Sequence, residues 1–320
     1  MEIISNPTEN EIKRAAKALK DGHLVAFPTE TVYGLGADAS NEKAVSRIYL
    51  VKRRPIGHPL IVHISSIDLL EKWAIEIPDY AEELARCYWP GPMTLILKRS
   101  KLAKDFITGE QSSIGVRIPA HSITLQLLAE FENLGGAGIA APSANRFGAV
   151  SPTCAGDVYE EIGELLNQED LIIDGEQCLI GIESTIIDCT KNLPSILRPG
   201  AITKLMIEST TGLETNTFFN PNKIKVSGLL VSHYSPKAKV ILNQIPETGC
   251  GFIALANVPT PEGAIRLDSP ITIEDFARNL YEALRRGDKY GLKYVVVIEP
   301  DGPGLAKAIR DRVGKAAAGN

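Results

Sequence analysis

Apolar positions along this chain fall either in short continuous runs or at helical spacing, which predicts an α/β protein. Leu24-Val25-Ala26 reads as a buried strand over residues 23–27. A helix precedes it: Thr8-x-x-Glu11 is a capping box, Ile12, Ala15, Ala16 and Leu19 share a face, and Gly22 ends the segment. A second helix starting near Ser40 carries Ala44, Ile48 and Val51 one turn apart and stops before Pro55. Residues 59–64 predict a central strand, 67–74 and 78–88 helices, and 93–97 a strand after the break Trp89-Pro90-Gly91-Pro92. Residues 113–119 alternate like a strand and carry Arg117. A helix over 123–131, a strand over 139–141, and a helix with Val158, Ile162 and Leu165 on one face follow. Strands over 171–174, 184–189 and 195–198 close the region. So irregular an order favours a curved mixed sheet over a strictly alternating doubly wound one.

From Glu208 to about Pro236 the periodicity fades. Thr210-Thr211-Gly212, Asn216-Thr217, Asn220-Pro221-Asn222 and Ser227-Gly228 are linker chemistry. Patterning resumes with strands over 240–242, 252–255 and 294–298 and helices over 273–285 and from Leu305. The expected organisation is a domain over 1–207, a linker over 208–236 and a smaller α/β domain over 237–320, in keeping with the length of 320 residues.

Composition narrows the class. Hydrophobic residues at 44% and charged residues at 23% match an ordinary globular core. A net charge of −5 argues against a general nucleic-acid coat, although a local basic patch stays open. Cys87, Cys154, Cys178, Cys189 and Cys250 are odd in number and never in a C-x-x-C pair. That argues against a disulfide framework and a zinc site, and fits a reducing cytosol. Met1 to Asn6 lacks the charged region and apolar core of a signal peptide, and no apolar run approaches membrane-spanning length. A cytoplasmic protein is expected.

Candidate chemistry centres on Phe27-Pro28-Thr29-Glu30-Thr31-Val32-Tyr33-Gly34-Leu35-Gly36-Ala37-Asp38. Read locally, Gly34 and Gly36 suggest either a phosphate cradle or a tight strand-to-helix turn. Lys52 and Arg54 lie at a helix end, where cations also serve simply as caps. Ser143 and Asn145 sit in a turn after an apolar strand, where hydroxyl, amide and backbone N–H converge on a phosphate. Arg117 and Arg198 each need an anionic partner, either a ligand or a structural carboxylate. His63, alone on an apolar strand, reads most simply as a core histidine, and His233-Tyr234 as a packing anchor. The nucleophile elbow, Walker loop, H-E-x-x-H, EF-hand and dinucleotide fingerprint are all missing. The residues by themselves lead to an anion- and hydroxyl-binding α/β enzyme.

Eight motifs then occur in register: Pro28-Thr29-Glu30-Thr31-Val32-Tyr33-Gly34-Leu35, Lys52-x-Arg54-Pro55, Pro59-Leu60-Ile61-Val62-His63, Trp89-Pro90-Gly91-Pro92-Met93-Thr94, Gly115-Val116-Arg117-Ile118-Pro119, Ala141-Pro142-Ser143-Ala144-Asn145, Glu183-Ser184-Thr185-Ile186-Ile187-Asp188 and Arg198-Pro199-Gly200. Together they closely resemble the YrdC-type threonylcarbamoyl-AMP synthases, from about Glu9 to Ile207. His233-Tyr234-Ser235-Pro236 and Gly304-Leu305-Ala306-Lys307-Ala308-Ile309-x-x-Arg312 resemble the long, two-domain form. The resemblance implies a twisted mixed α/β sheet around a large concave cavity and a smaller Rossmann-like α/β domain. It implies a nucleotidyltransferase that joins L-threonine, bicarbonate or CO2, and ATP with Mg2+ into threonylcarbamoyl-adenylate and pyrophosphate. A separate transferase would then pass the group to tRNA.

Carried over residue by residue, Lys52, Arg54, Ser143 and Asn145 match the nucleotide signature, with Lys52 and Arg54 expected to be catalytic. His58, Ser113, Ser151, Arg198 and His233 fall where further ATP contacts are expected. Thr31, His63, Arg117, Ala141 (through its backbone) and Ser184 fall where threonine is held. Arg53 replaces a residue that is small in many relatives, and His58 stands where asparagine or lysine is common. No protein carboxylate cluster is expected for Mg2+, which would ride on the phosphates. The phosphates are thus better assigned to Lys52, Arg54, Ser143 and Asn145 than to Gly34 and Gly36, and the opening stretch to threonine. The linker suggests a lid ending in His233-Tyr234. Two rivals are a non-enzymatic tRNA- or double-stranded-RNA-binding module and an enzyme of related fold acting on carbamoyl phosphate.

Overall fold

The computed structural model describes residues 1–217, 225–226, 228 and 233–319. Among them, eleven strands form one mixed sheet. Its order runs Glu2–Ser5, Leu171–Asp174, Val25–Phe27, Gly34–Asp38, Ile139–Ala140, Ile61–His63, Ser113–Arg117, Met93–Arg99, Thr185–Asp188 and Ser195–Arg198, with Ala74–Ile75 paired to Met93–Arg99. Parallel and antiparallel pairings alternate irregularly across it. The central strands are buried along nearly their whole length, which is why they read as continuous apolar runs.

Helices cover the sheet where the spacing predicts them. Glu9–Lys20 starts at Thr8 with both capping-box hydrogen bonds in place and buries Ile12, Ala15, Ala16 and Leu19. Glu42–Lys52 is capped by the Asn41 side chain and ends at Arg53, which adopts a left-handed φ of 50°. Lys52 is therefore the last helical residue, and the chain turns sharply between Lys52 and Arg54.

The stretch 27–38 differs from the strand-to-helix turn expected of it. Gly34–Asp38 is a strand paired antiparallel with Val25–Phe27, so residues 28–33 are the connection of a hairpin. Gly36 is there for packing: a Cβ on it would lie 2.6 Å from the Phe27 ring and 2.7 Å from Ile139. The edge strands Glu2–Ser5 and Ile265–Asp268 carry only one buried residue each and left no legible apolar run.

A second, four-stranded parallel sheet has the order Lys239–Leu242, Tyr294–Val297, Gly251–Ile253, Ile265–Asp268. Helices Ile273–Lys289 and Leu305–Ala317 pack on it. Helix Lys204–Thr211 runs past residue 207, where the linker was expected to begin. Asn220-Pro221-Asn222 and Ser227 of that linker lie outside the described residues. The core of the second sheet also takes in Val32, Val150 and Ile182 from the first region, together with Tyr234. Burying that apolar surface fastens the C-terminal part onto the hairpin that carries Thr31.

Candidate active site

The hairpin connection, the end of strand Ile61–His63, Arg117, the turn after Ile139–Ala140, and Glu183-Ser184 converge on one buried cavity. Its lining includes Thr31, His63, Arg117, Ala141 and Ser184, all five residues expected to hold threonine. Arg54, Ser143, Arg198 and His233 line it as well. The remaining volume is about 50 Å³, on the order of a few water molecules. His233, Tyr234 and Gly228 also stand in the lining.

Arg117 satisfies its guanidinium inside the protein. It donates to Glu30 Oε1 at 2.6 Å, to Thr31 Oγ1 at 2.9 Å and to the Gly91 carbonyl at 3.3 Å. Glu30 Oε2 accepts the Ala120 amide at 3.0 Å. Across the cavity, Arg198 donates to the Ser184 carbonyl at 2.9 Å and to Ser184 Oγ at 3.2 Å. Two wall hydroxyls, Thr31 and Ser184, thus each carry an arginine N–H. His63 is 4% exposed and its Nδ1 has no hydrogen-bond partner among the described residues. Burial, with the Arg117 charge adding to it, pushes its pKa down to about 3, so the ring is neutral at physiological pH.

Lys52 is placed differently from the expectation of a cavity-facing cation. Its ammonium, 1% exposed, donates to the Ser143 carbonyl at 2.5 Å and to the Asn145 carbonyl. The Lys52 carbonyl accepts the Phe147 amide at 2.8 Å, so one residue ties the whole 143–147 turn to the helix end. Burial, reinforced by nearby Arg54, holds its pKa well below the usual lysine value. Asn145 donates to the Arg146 and Ala149 carbonyls, both at 2.8 Å, while its Oδ1 is buried without a partner among the described residues. Arg54 donates to the Pro59 carbonyl at 3.0 Å and lies over the Phe147 ring. Burial lowers its pKa to about 10.

Lys52 and four more of the expected nucleotide contacts stand away from the lining. His58 packs edge-on against Phe147, with ring centroids 5.2 Å apart. Ser113 lines a separate groove with Gln111 and Lys225. Ser151 donates to Glu183 at 2.6 Å, and Asn145 is spent on its own turn as described. His233 reaches the lining from the far end of the expected linker. Ser235 bonds the Gly148 carbonyl at 2.9 Å and pairs with Ala149, stitching this strap to the turn beyond Asn145. Burial first, then the charges of Lys52, Arg54 and Arg198, drive the His233 pKa down to about 3 despite nearby Glu183. Gly228 is needed opposite it: φ is +82°, and a Cβ would sit 2.3 Å from the Tyr234 hydroxyl.

Two acidic residues of the site escaped sequence reasoning because each adjoins hydroxyl residues that drew attention first, Glu30 between Thr29 and Thr31 and Glu183 just before Ser184-Thr185. Glu30 is the counter-charge of Arg117. Glu183, 6% exposed, lines the cavity and accepts from Ser151, from the Tyr281 hydroxyl at 3.0 Å and from Arg312 Nε at 2.7 Å. Burial alone would raise its pKa, but the Arg312 and Arg198 charges and these hydrogen bonds outweigh it and hold the carboxyl at about 2. Arg312, fully buried on helix Leu305–Ala317, also lies over the Tyr234 ring at 5.3 Å. The C-terminal helix is thereby wired to both the cavity wall and the strap.

Comparison with known proteins gives the family. Residues 17–200 match the Sua5–YciO–YrdC family model, described as telomere recombination, and residues 202–318 match the Sua5 C-terminal model, described as the threonylcarbamoyl-AMP synthase C-terminal domain. The threonylcarbamoyl-AMP synthase of Pyrococcus abyssi is 39% identical over 99% of this chain and 98% of its own. That of Bacillus subtilis is 35% identical over 97% and 93%. A crystal structure of P. abyssi Sua5 complexed with L-threonine superposes with a TM-score of 0.88 at 37% identity, covering 100% of this chain and 98% of that one. E. coli YciO, 24% identical with a TM-score of 0.51 over 62% of this chain and 94% of its own, shares the fold. The chain belongs to the Sua5/YrdC family of threonylcarbamoyl-AMP synthases, in its two-part form with the Sua5 C-terminal domain.

Proposed function

We propose that this protein is a nucleotidyltransferase that makes L-threonylcarbamoyladenylate from L-threonine, CO2 or bicarbonate, and Mg2+-ATP, releasing pyrophosphate. The observation that carries this reading is the convergence of Thr31, His63, Arg117, Ala141 and Ser184 with Arg54, Ser143, Arg198 and His233 on one buried cavity. Hydroxyls and a neutral imidazole suit a small polar side chain. The Arg117 fork suits a carboxylate, although it must share its charge with Glu30. A site built to satisfy a substrate hydroxyl rejects analogues that lack it.

The threonine amine attacks CO2, forming an N–C bond and losing a proton, to give a carbamate. A carbamate oxygen then attacks the α-phosphorus. The new O–P bond forms as the bond to the β-phosphate breaks, and pyrophosphate leaves. No protein nucleophile takes part; catalysis is positioning and charge neutralisation by Arg54 and Arg198, with Mg2+ carried by the phosphates. Lys52 contributes by fixing the Ser143–Asn145 turn on which the nucleotide would rest. The strap bearing His233 and Tyr234 must withdraw to admit ATP and close again to keep water from the mixed anhydride. The product would pass to a transferase acting on tRNA, in the cytoplasm. Among the described residues no helix is long and apolar enough to cross a membrane.

Of the rivals, the RNA-binding module is not favoured, because the residues its cavity would present are enclosed rather than laid out as a surface. Deletion of the strap residues 233–235 tests the enzyme reading in detail. The expected result is slower synthesis and faster loss of the adenylate to hydrolysis; unchanged rate and lifetime would refute the role of the strap.

A further inference from the structure

We propose that Tyr281, on helix Ile273–Lys289 of the C-terminal domain, is a positioning residue for the reaction: its ring is the seat on which the strap residue Tyr234 closes. The proposal rests on the synthase reading, in which the strap shields the adenylate. It starts from a residue held against its own preference. Tyr234 has a φ of +61°, a left-handed backbone that a bulky side chain rarely adopts, yet it is only 1% exposed. Neighbouring groups must hold it there. Its ring stacks on that of Tyr281, with centroids 5.7 Å apart and planes 25° from parallel. Aromatic pairs at this separation attract beyond the area they bury. Arg312 lies over the same Tyr234 ring at 5.3 Å. His233 in turn packs edge-on against Tyr234, with centroids 4.1 Å apart. The seat of Tyr234 therefore decides where His233 stands in the cavity wall.

The seat is itself fixed, and from the cavity side. Tyr281 is fully buried, and its hydroxyl donates toward both carboxylate oxygens of Glu183, at 3.1 and 3.0 Å. Burial pushes the phenol well above its ordinary pKa, so the proton needed for that bond stays in place. Arg312 Nε reaches the same carboxylate at 2.7 Å. Two side chains of the C-terminal domain thus each grip the wall at Glu183 and the strap at Tyr234. The Glu183 bonds orient the Tyr281 ring, and the ring offers its face to Tyr234. The left-handed backbone works against the seated state, and the ring contacts work for it. Loss of the seat should therefore open the strap.

The test uses the full-length protein and two readouts: amide hydrogen exchange over residues 233–235, and the rate at which enzyme-formed adenylate is lost to hydrolysis. The exchange readout is local, because the Ser235 amide is tied to the Gly148 carbonyl when the strap is seated. Tyr281→Leu is expected to speed both about three- to tenfold, the scale of one aromatic pair. Tyr281→Phe keeps the ring and should recover most of that difference. In a Tyr234→Ala background the seat has nothing to hold, so adding Tyr281→Leu should change either rate by less than about twofold. Equal increases in both backgrounds, or unchanged exchange in Tyr281→Leu, would overturn the proposal. Tyr281→Phe as impaired as Tyr281→Leu would assign the effect to the hydroxyl and overturn it too. If Tyr281→Leu does not fold, Tyr281→Met, closer in volume, carries the same comparison. If exchange follows the prediction but the wild-type protein forms no adenylate, the seat stands and the synthase reading fails.

Discussion

Arg117 and Glu30 form an ion pair of 2.6 Å with side chains only 6% and 5% exposed, directly behind the Thr31 hydroxyl. The pair means that the cavity cation is oriented before any ligand arrives. Breaking a buried pair by removing one partner costs about 3–5 kcal/mol, since the other charge is stranded. Arg117→Ala should therefore both lower stability by roughly that amount and raise the KM for threonine. Arg117→Lys should not restore the KM, because an ammonium cannot serve Glu30, Thr31 and Gly91 with a planar fork. Urea unfolding and steady-state kinetics check the two parts separately; an unchanged threonine KM would refute the assignment.

The interdomain pair Arg312–Glu183, 2.7 Å long, gives a second stability prediction. Arg312→Ala should destabilise the full chain by about 3–5 kcal/mol and lower synthetase activity, because Glu183 forms part of the cavity wall. Arg86→Ala is the control: its pair with Glu82 is solvent-exposed and is worth at most about 1 kcal/mol. Chemical unfolding of the two variants distinguishes them. Equal losses would show that the buried pair has no special weight.

Lys52 is expected to act through the turn it holds. Lys52→Ala should abolish threonine- and bicarbonate-dependent pyrophosphate release and speed amide exchange across residues 143–147. Near wild-type turnover would remove Lys52 from the account. Loss of turnover with unchanged exchange would point to direct phosphate contact rather than positioning.

Stability should fall on acidification well before Glu183 is protonated. Burial depresses His63 and His233 to about 3 in the folded protein, against about 6.5 when unfolded. Between those values the unfolded chain binds more protons, so unfolding free energy decreases as pH drops below about 6.5. His58 and His121, also lowered by burial, act in the same direction. Glu183, held at about 2, adds its own loss only below about 4.5. Urea unfolding at pH 7 and pH 5 isolates the histidines, and His63→Gln should flatten the slope. A protein equally stable at both pH values would contradict the neutral, buried imidazoles.

The parts of this molecule legible in its sequence are those where one local rule decides. The Thr8-Glu11 capping box and the apolar runs at Val25–Phe27 and Ile61–His63 each follow from spacing alone. The hairpin at 27–38 is hidden in the sequence because two glycines look like turn residues, whereas Gly36 admits the Phe27 ring across the sheet. Strand Ile265–Asp268 at the sheet edge buries little and leaves no run to find. The counter-charges Glu30 and Glu183 depend on contacts 87 and 129 residues away along the chain. Spacing cannot show these. Lys52 illustrates the same limit: its helical position was clear, but its hydrogen bonds to a turn some 90 residues downstream were not.

One reaction tests the central claim most directly. The purified protein is incubated with ATP, Mg2+, L-threonine and labelled bicarbonate, and the products are separated. The account predicts label in a threonylcarbamoyl adenylate, with pyrophosphate released one for one and neither formed when threonine is omitted. Pyrophosphate release that does not depend on threonine, or label that never enters an adenylate, would contradict it.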